Sequence, residues 1–228
     1  MKHIVVLTGA GISAESGIKT FRDADGLWEG HDIMEVASPE GWKNNQKNVL
    51  EFYNQRRKQL LEVKPNTAHY AIKELENKYK VSVITQNIDD LHERAGSSKV
   101  YHLHGELLKA QSTFDEDLIM DWRKDLNIGH FCEHNYQLRP FVVWFGEAVK
   151  MFPKAAEITE TADILIIIGT SMQVYPAAAL LDYAKDDTSI YFIDPQPNLA
   201  NNPHIEIISK KASLGVPELV SKLLESTL

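Results

Sequence analysis

Residues His3 to Leu7 form an apolar run rich in β-branched side chains. A run of this kind is the mark of a strand buried on both faces. It ends at Gly9 and Gly11, and the ISAES that follows (residues 12–16) is compatible with a helix. Residues 47–62, KNVLEFYNQRRKQLLE, place apolar side chains at helical spacing. Pro65, Asn66 and Thr67 predict a stop and a fresh N-terminal cap, with a second helix over 68–79. VSVIT (81–85) reads as a strand, QNIDDLHERAG (86–96) runs into a helix closed by Gly96, and VYHLHGEL (100–107) is a short strand ending in a turn. Residues 109–139 break this rhythm: they are polar, charged and without a clean period, the composition of an inserted module or long excursion. The pattern then resumes. ADILIIIGTS (162–171) is a continuous apolar strand, 176–184 is helical, SIYFID (189–194) is a strand and VPELVSKLL (216–224) a last amphipathic helix. Strands alternating with helices predict an α/β fold whose parallel sheet is covered on both faces.

Composition changes this picture little. The chain has 228 residues, 43% apolar and 25% charged, which suits one large domain or a domain plus a small module. Its net charge of -8 and lack of a basic run speak against a nucleic-acid partner held through phosphates. A single cysteine excludes an intrachain disulfide framework. No segment nears the ~18 apolar residues of a membrane span, so the expectation is a cytoplasmic protein with no membrane partner.

Four constellations carry candidate chemistry. Gly9-x-Gly11-x-x-Ala14, between a strand and a helix, fits a dinucleotide fingerprint, in which glycines let backbone approach a pyrophosphate at a helix N-terminus. The acidic residue expected ~20 positions later is not evident. TFRDADGLW (20–28) stands there instead, which a plain hydride-transferring dehydrogenase has no reason to carry. TQNID (85–89) closes a strand with amide and carboxylate groups that suit a carboxamide and ribose hydroxyls, or equally cap the next helix. His104, in HLHGEL, is placed to accept a proton near neutral pH. Gly169-Thr170-Ser171 ends a strand with donors for phosphate.

Taken in order, GAGIS-x-x-SGI-x-x-FR, TQNID, HxHGE, RPFVVWFGE and GTS resemble the sirtuins over nearly the whole chain, and within them the bacterial desuccinylase-like class. The resemblance implies a single catalytic domain. Its Rossmann-like parallel-sheet lobe would take about 1–29, 66–106 and 141–228, with a smaller inserted lobe at about 30–65 and 107–140. It implies an NAD-consuming protein lysine deacylase, acting on acylated-lysine proteins and releasing nicotinamide and O-acyl-ADP-ribose. His104 would be the general base, and Asn87 and Asp89 would be catalytic with it. Gly9, Ala10, Gly11, Ser13 and Glu15 would line the pyrophosphate and ribose region, and Thr20, Phe21, Arg22 and Trp28 would belong to a cofactor loop. Gln86, Asn87, Ile88 and Asp89 would hold the nicotinamide ribose and carboxamide, and Gly169, Thr170 and Ser171 phosphate and adenosine ribose. Asp194, Pro195, Gln196 and Ala212 would sit near the adenosine, with Asp194 where the family commonly carries asparagine. Val143, Phe145, Gly146, Glu147 and Val174 would border a groove for an extended peptide. Protein ADP-ribosyl transfer and a non-catalytic NAD or ADP-ribose sensor are the alternatives.

Two further inferences concern the acyl group and a metal. Tyr53 and Arg56 are three apart on a predicted helix and share a face, which with Arg57 and Lys58 adjoining also reads as a solvated basic surface. In desuccinylase-like sirtuins a Tyr-x-x-Arg pair reads a carboxylate at the far end of the acyl chain, and Ala37 resembles the small residue that keeps the pocket roomy. The resemblance therefore implies succinyl or malonyl preference, with acetyl also accepted. Most sirtuins carry four zinc cysteines after HGE. Here only Cys132 remains, with His130 and His134 near it and Asp115 or Asp117 as possible completions of a partial site. The expectation is instead that zinc is absent and that Phe114, Leu118, Ile119, Trp122 and Phe131 pack in its place.

Overall fold

A computed structural model of the chain describes residues 1–18, 27–28, 31–171, 175–197 and 204–226. Six strands build one parallel sheet: β1 (His3–Thr8), β4 (Lys80–Thr85), β5 (Val100–His102), β9 (Ile164–Ile168), β10 (Ser189–Ile193) and β11 (Ile205–Ile208), in the order β11-β10-β9-β1-β4-β5. β1 lies in the middle, paired with β4 on one side and β9 on the other. The direction of strand succession reverses between β1 and β9. That reversal leaves a crevice at the carboxyl ends of these two strands, where open α/β sheets bind ligands.

Strand side chains alternate between faces, so one apolar run feeds two cores. Ile4, Val6, Val83 and Ile166 pack against helices α5 (Thr67–Glu74) and α8 (Ala212–Glu225). Val5, Leu7, Leu165 and Ile167 pack against helix α7 (Phe152–Thr159) and a 3-10 turn over Ala177–Tyr183. The predicted helix over 68–79 is shorter: α5 is capped by Asn66 as expected but passes into a 3-10 turn at Leu75–Asn77. This frees Tyr79 to donate its hydroxyl to the Leu223 carbonyl at 2.8 Å. The segment 176–184 is 3-10, not α-helical, and strand β11 and helix α7 had no counterpart in the pattern. No helix among the described residues is long and apolar enough to cross a membrane.

The smaller unit has its own sheet. Strand β6 (Gly105–Ser112) lies between β7 (Ile119–Asp121) and β8 (Leu138–Val142), all antiparallel, so HGEL opens a new strand and does not close an old one. Helices α2 (Ile33–Val36), α3 (Pro39–Asn44) and α4 (Gln46–Glu62) cover it. Val36, Val49, Phe52, Tyr53 and Leu60 meet Leu107, Leu108, Val142 and Trp144 in one core. Leu50, Ala110, Leu126, Cys132 and Leu138 form another. The packing expected around residues 114–131 needs correction. Leu118 and Trp122 do lean on this core, but Phe114, Ile119 and Phe131 are 60%, 38% and 55% exposed. Cys132 takes their place inside, and Phe114 stacks on Tyr136 at 4.3 Å. Arg57 is not a solvated face either. It is fully buried, and its Nε donates to the Leu107 carbonyl at 3.2 Å.

Candidate active site

The turn after β1 and the turn after β9 touch through glycines. The Gly9 N–H donates to the Ile168 carbonyl at 3.0 Å, and the Gly11 N–H to the Gly169 carbonyl at 2.8 Å. A Cβ on Gly11 would lie 2.6 Å from the Gly169 Cα, and Gly169 itself has φ +60. Only glycine allows that approach and that φ together. Helix α1 (Gly11–Ala14) is a single turn, and the Ile12 and Ser13 N–H groups already donate to the Gly9 and Ala10 carbonyls just before it. The expected helix-dipole contribution is therefore small; the glycines supply space and a close backbone wall.

TQNID folds down onto this wall. Asn87 donates Nδ2 to the Gly9 carbonyl at 3.2 Å and to Ser13 Oγ at 3.1 Å. Ser13 donates its hydroxyl to Asp89 at 2.9 Å. Asp89 also accepts from the Leu91 N–H at 3.2 Å, a turn bond that leads into helix α6 (Leu91–Arg94). Burial raises its carboxyl to about 6, against the lowering effect of the Ser13 and Leu91 bonds. Gln86 reaches across the crevice from the β4 side to Thr170 at 3.1 Å.

His104 follows β5 and is half-buried. Its Nδ1 lies 2.9 Å from the Gln86 carbonyl, an acceptor only, so Nδ1 carries the proton and Nε2 holds the lone pair. Nε2 has no bond to the protein among the described residues. Burial lowers the imidazole pKa below its ordinary value, with the Gln86 carbonyl pulling the other way. The ring is thus a neutral base with its acceptor nitrogen open.

Ala10 lies half-buried in the glycine turn, and Ser171 half-buried after Thr170. Asp194 is buried and accepts from the Gln196 N–H at 2.9 Å, while Pro195 and Gln196 are exposed and Ala212 opens α8. The Glu15 carboxylate accepts from Ser213, from N at 3.0 Å and from Oγ at 2.6 Å, so it ties α1 to α8. Trp28 lies on strand β2 (Leu27–Trp28), paired with β3 (His31–Asp32). Thr20, Phe21, Arg22 and Val174 lie outside the described residues.

The proposed acyl and peptide positions are only partly assembled. Arg56 lines a cavity of about 40 Å³ with Gln59, Leu60, Ile88, Asp89 and Leu107. Tyr53 is fully buried, accepts from the Trp144 indole at 3.0 Å and does not line that cavity. Ala37 is buried, and its carbonyl accepts from the Phe145 N–H at 2.9 Å. The Val143 N–H is likewise taken, by the His104 carbonyl at 2.9 Å. Gly146 and Phe145 are exposed, whereas Glu147 is an internal brace that accepts two bonds from Arg139 at 2.6 and 3.0 Å.

Among the described residues no group of His, Cys, Asp and Glu is arranged to hold a metal ion. His130, Cys132 and His134 do not converge. Cys132 accepts from Ser112 inside the core, His130 lies against Trp122 and His134 against Phe114. The pattern-based reading missed the residues behind the site. His102 bonds the Asn87 carbonyl at 2.8 Å and Glu93 at 2.7 Å. Burial is the largest single effect and opposes its charge, but the Glu93 bond and charge, the Asn87 carbonyl and the Glu106 charge together raise its pKa. The alternating HLH in YHLHG was the available signal.

Comparison with known proteins agrees with this geometry. The Sir2 family profile matches residues 9–176. A Helicobacter pylori protein named NAD-dependent protein deacylase is 59% identical over 226 residues, covering 99% of each chain. A Bacteroides thetaiotaomicron protein of the same name is 50% identical, covering 98% of this chain and 99% of its own. The crystal structure of a Sir2 homolog–NAD complex superposes with a TM-score of 0.88 at 38% identity, over 98% of this chain and 90% of that one. A Sir2 protein bound to a myristoylated histone peptide superposes at 0.74 with 34% identity, over 97% and 91%. The glycine crevice, the TQNID cluster and the open imidazole therefore have a common explanation: the chain belongs to the Sir2 family.

Proposed function

We infer that the chain is an NAD-dependent protein lysine deacylase, and we propose succinyl- and malonyl-lysine as its preferred substrates, with acetyl-lysine also accepted. The observation that carries the first statement is the His104 tautomer. A proton held on Nδ1 by the Gln86 carbonyl leaves Nε2 to take one, and the same TQNID segment carries buried Asn87 and Asp89. A pure sensor of the dinucleotide has no use for an open base there. The residues fit NAD: a Cβ would fill the glycine wall, and amide and carboxylate groups line the crevice floor. When bound, NAD supplies a cationic leaving group and the ribose hydroxyl that receives the acyl group. Asn87 and Ser13 orient polar groups at the crevice, Asp89 faces developing positive charge, and His104 takes a proton at Nε2.

Arg56 supports the acyl preference. It lies on the same small cavity as Ile88 and Asp89, so a guanidinium fork stands beside the reacting crevice. A planar fork matches a carboxylate with two charge-assisted bonds. The cavity is the size of one or two waters, so an acyl chain must open it. The test is nicotinamide release with matched acetyl- and succinyl-lysine peptides, with deacylated peptide followed by mass. Faster succinyl turnover that Arg56→Met removes, while acetyl turnover stays within a few-fold, is the expected result. Equal losses on both peptides refute the role of Arg56. No release from either refutes the deacylase.

A further inference from the structure

Beneath the crevice runs a chain of buried polar groups that the mechanism does not use. His92 on α6 is fully buried, and its Nε2 lies 3.1 Å from Thr8 Oγ1. Thr8 donates to Thr85 Oγ1 at 2.8 Å, and Thr85 Oγ1 accepts the Asn87 N–H at 3.0 Å. Thr8 and Thr85 are also fully buried, at the carboxyl ends of β1 and β4. A hydroxyl has one proton. With the Thr8 proton on Thr85, Thr8 accepts from His92 Nε2. In that arrangement His92 is the Nε2–H tautomer. The remaining His92 nitrogen, Nδ1, has no hydrogen-bond partner among the described residues.

The neighbouring ring is complementary. His69 is buried with its centroid 4.9 Å from that of His92. Its Nδ1 accepts the Asn66 N–H at 3.3 Å, so its own proton sits on Nε2, which is also without a partner among the described residues. Burial depresses both imidazoles, His92 well below its ordinary value and His69 to about 4. Both rings therefore stay neutral and keep a fixed donor and acceptor edge. Asn66 extends the brace by donating Nδ2 to the Ile12 carbonyl at 2.8 Å and to Ser16 at 3.0 Å, on and just after α1.

We propose that His92 is a positioning residue for Asn87, acting through the Thr8 and Thr85 hydroxyls. It holds the backbone from which the Asn87 side chain reaches Gly9 and Ser13. The inference rests on the deacylase reading above. The physical logic is that a buried donor tied into a chain has one favourable orientation, and leaving any link unpaired costs more than the bond itself gains.

The test uses the full chain with His92→Leu, His92→Gln, Thr8→Val and Thr8→Ser. Glutamine and serine keep the needed donor or hydroxyl, whereas leucine and valine remove it. Thr8→Val barely changes shape and serves if His92→Leu does not fold. Three quantities are read: deacylation rate, NAD binding by calorimetry and hydrogen exchange at the Asn87 amide. For His92→Leu and Thr8→Val, the expected kcat falls about 10–100-fold. NAD stoichiometry should remain one per chain, with its Kd changed only a few-fold. Asn87 exchange should quicken by at least about tenfold. His92→Gln and Thr8→Ser should recover most of the rate. A merely structural role would lower stoichiometry and rate together, and that result overturns the proposal. So does unchanged Asn87 exchange, or quickened exchange with normal kcat. A wild type that binds NAD but never turns over refutes the deacylase reading, and the exchange arm still decides whether His92 holds Asn87.

Discussion

Asn54 on α4 bonds both backbone groups of Leu126, accepting its N–H at 2.8 Å and donating to its carbonyl at 3.0 Å. The same Asn54 oxygen accepts from Arg57 Nη1 at 2.7 Å. One buried amide thus clamps the excursion after β7 onto the helix that covers it. Asn54→Ala strands the Leu126 groups and one arm of Arg57, at a cost of about 2–4 kcal/mol. Calorimetry should show Tm lowered by roughly 5–15 °C. A Tm within a degree of wild type would show that the clamp carries no stability.

His104→Ala should lower deacylation by about 10²–10⁴-fold while NAD still binds. Because burial lowers the His104 pKa, the base remains unprotonated on the acid side of neutrality. The acid limb of the kcat profile should therefore fall below pH 6.5 and disappear in a His104→Gln enzyme. A limb at or above the ordinary imidazole value contradicts this placement.

Asp89 faces the site at the expense of stability. Its carboxyl is raised to about 6 from 3.8 by burial, so between these pH values the folded state holds a proton that the unfolded state has lost. Stability consequently falls as pH rises through that window and levels off above it, a loss on the order of 3 kcal/mol. Asp89→Asn should be more stable than wild type at pH 7.5, the gap closing near pH 4, and should lose deacylation. Denaturant unfolding at the two pH values checks it. Equal stability at pH 7.5 would contradict the raised carboxyl.

Gly11→Ala drives a methyl against the Gly169 backbone, which has no flexible end to yield. The expected cost is about 1–3 kcal/mol, together with loss of NAD binding by calorimetry. Normal binding would mean that the two turns separate without consequence.

The parallel sheet was legible because strands buried on both faces write themselves as unbroken apolar runs, as at Ile4–Leu7 and Ile164–Ile168. The motifs at their ends followed from position alone. The small sheet was not legible. β6 meets β8 across some thirty residues of chain, and an irregular register between Gly105 and Ala110 spoils its alternation. The solvated-surface reading of Arg57 failed because charge normally marks solvent, whereas its burial rests on the Leu107 carbonyl of β6 and on Asn54 one turn earlier in α4. Tyr53 and Arg56 do share a helix face, yet tertiary packing put one against Trp144 and the other on the cavity. His92, Thr8 and Thr85 looked like ordinary strand and helix positions, since nothing local announces a hydrogen-bond chain between residues 77 and 84 positions apart.

The central place of β1 has a consequence in time. Ile4 pairs with Ile164, and Glu15 reaches Ser213 at the start of the last helix. A ribosome adding roughly 5–20 residues per second needs about 8–32 s to make the 160 residues between the first pair. Until then β1 has β4 on one side and an open edge on the other, the kind of edge on which chains associate wrongly. The nucleotide crevice cannot exist on the nascent chain before β9 has emerged, so binding capacity arrives late in synthesis and almost all at once.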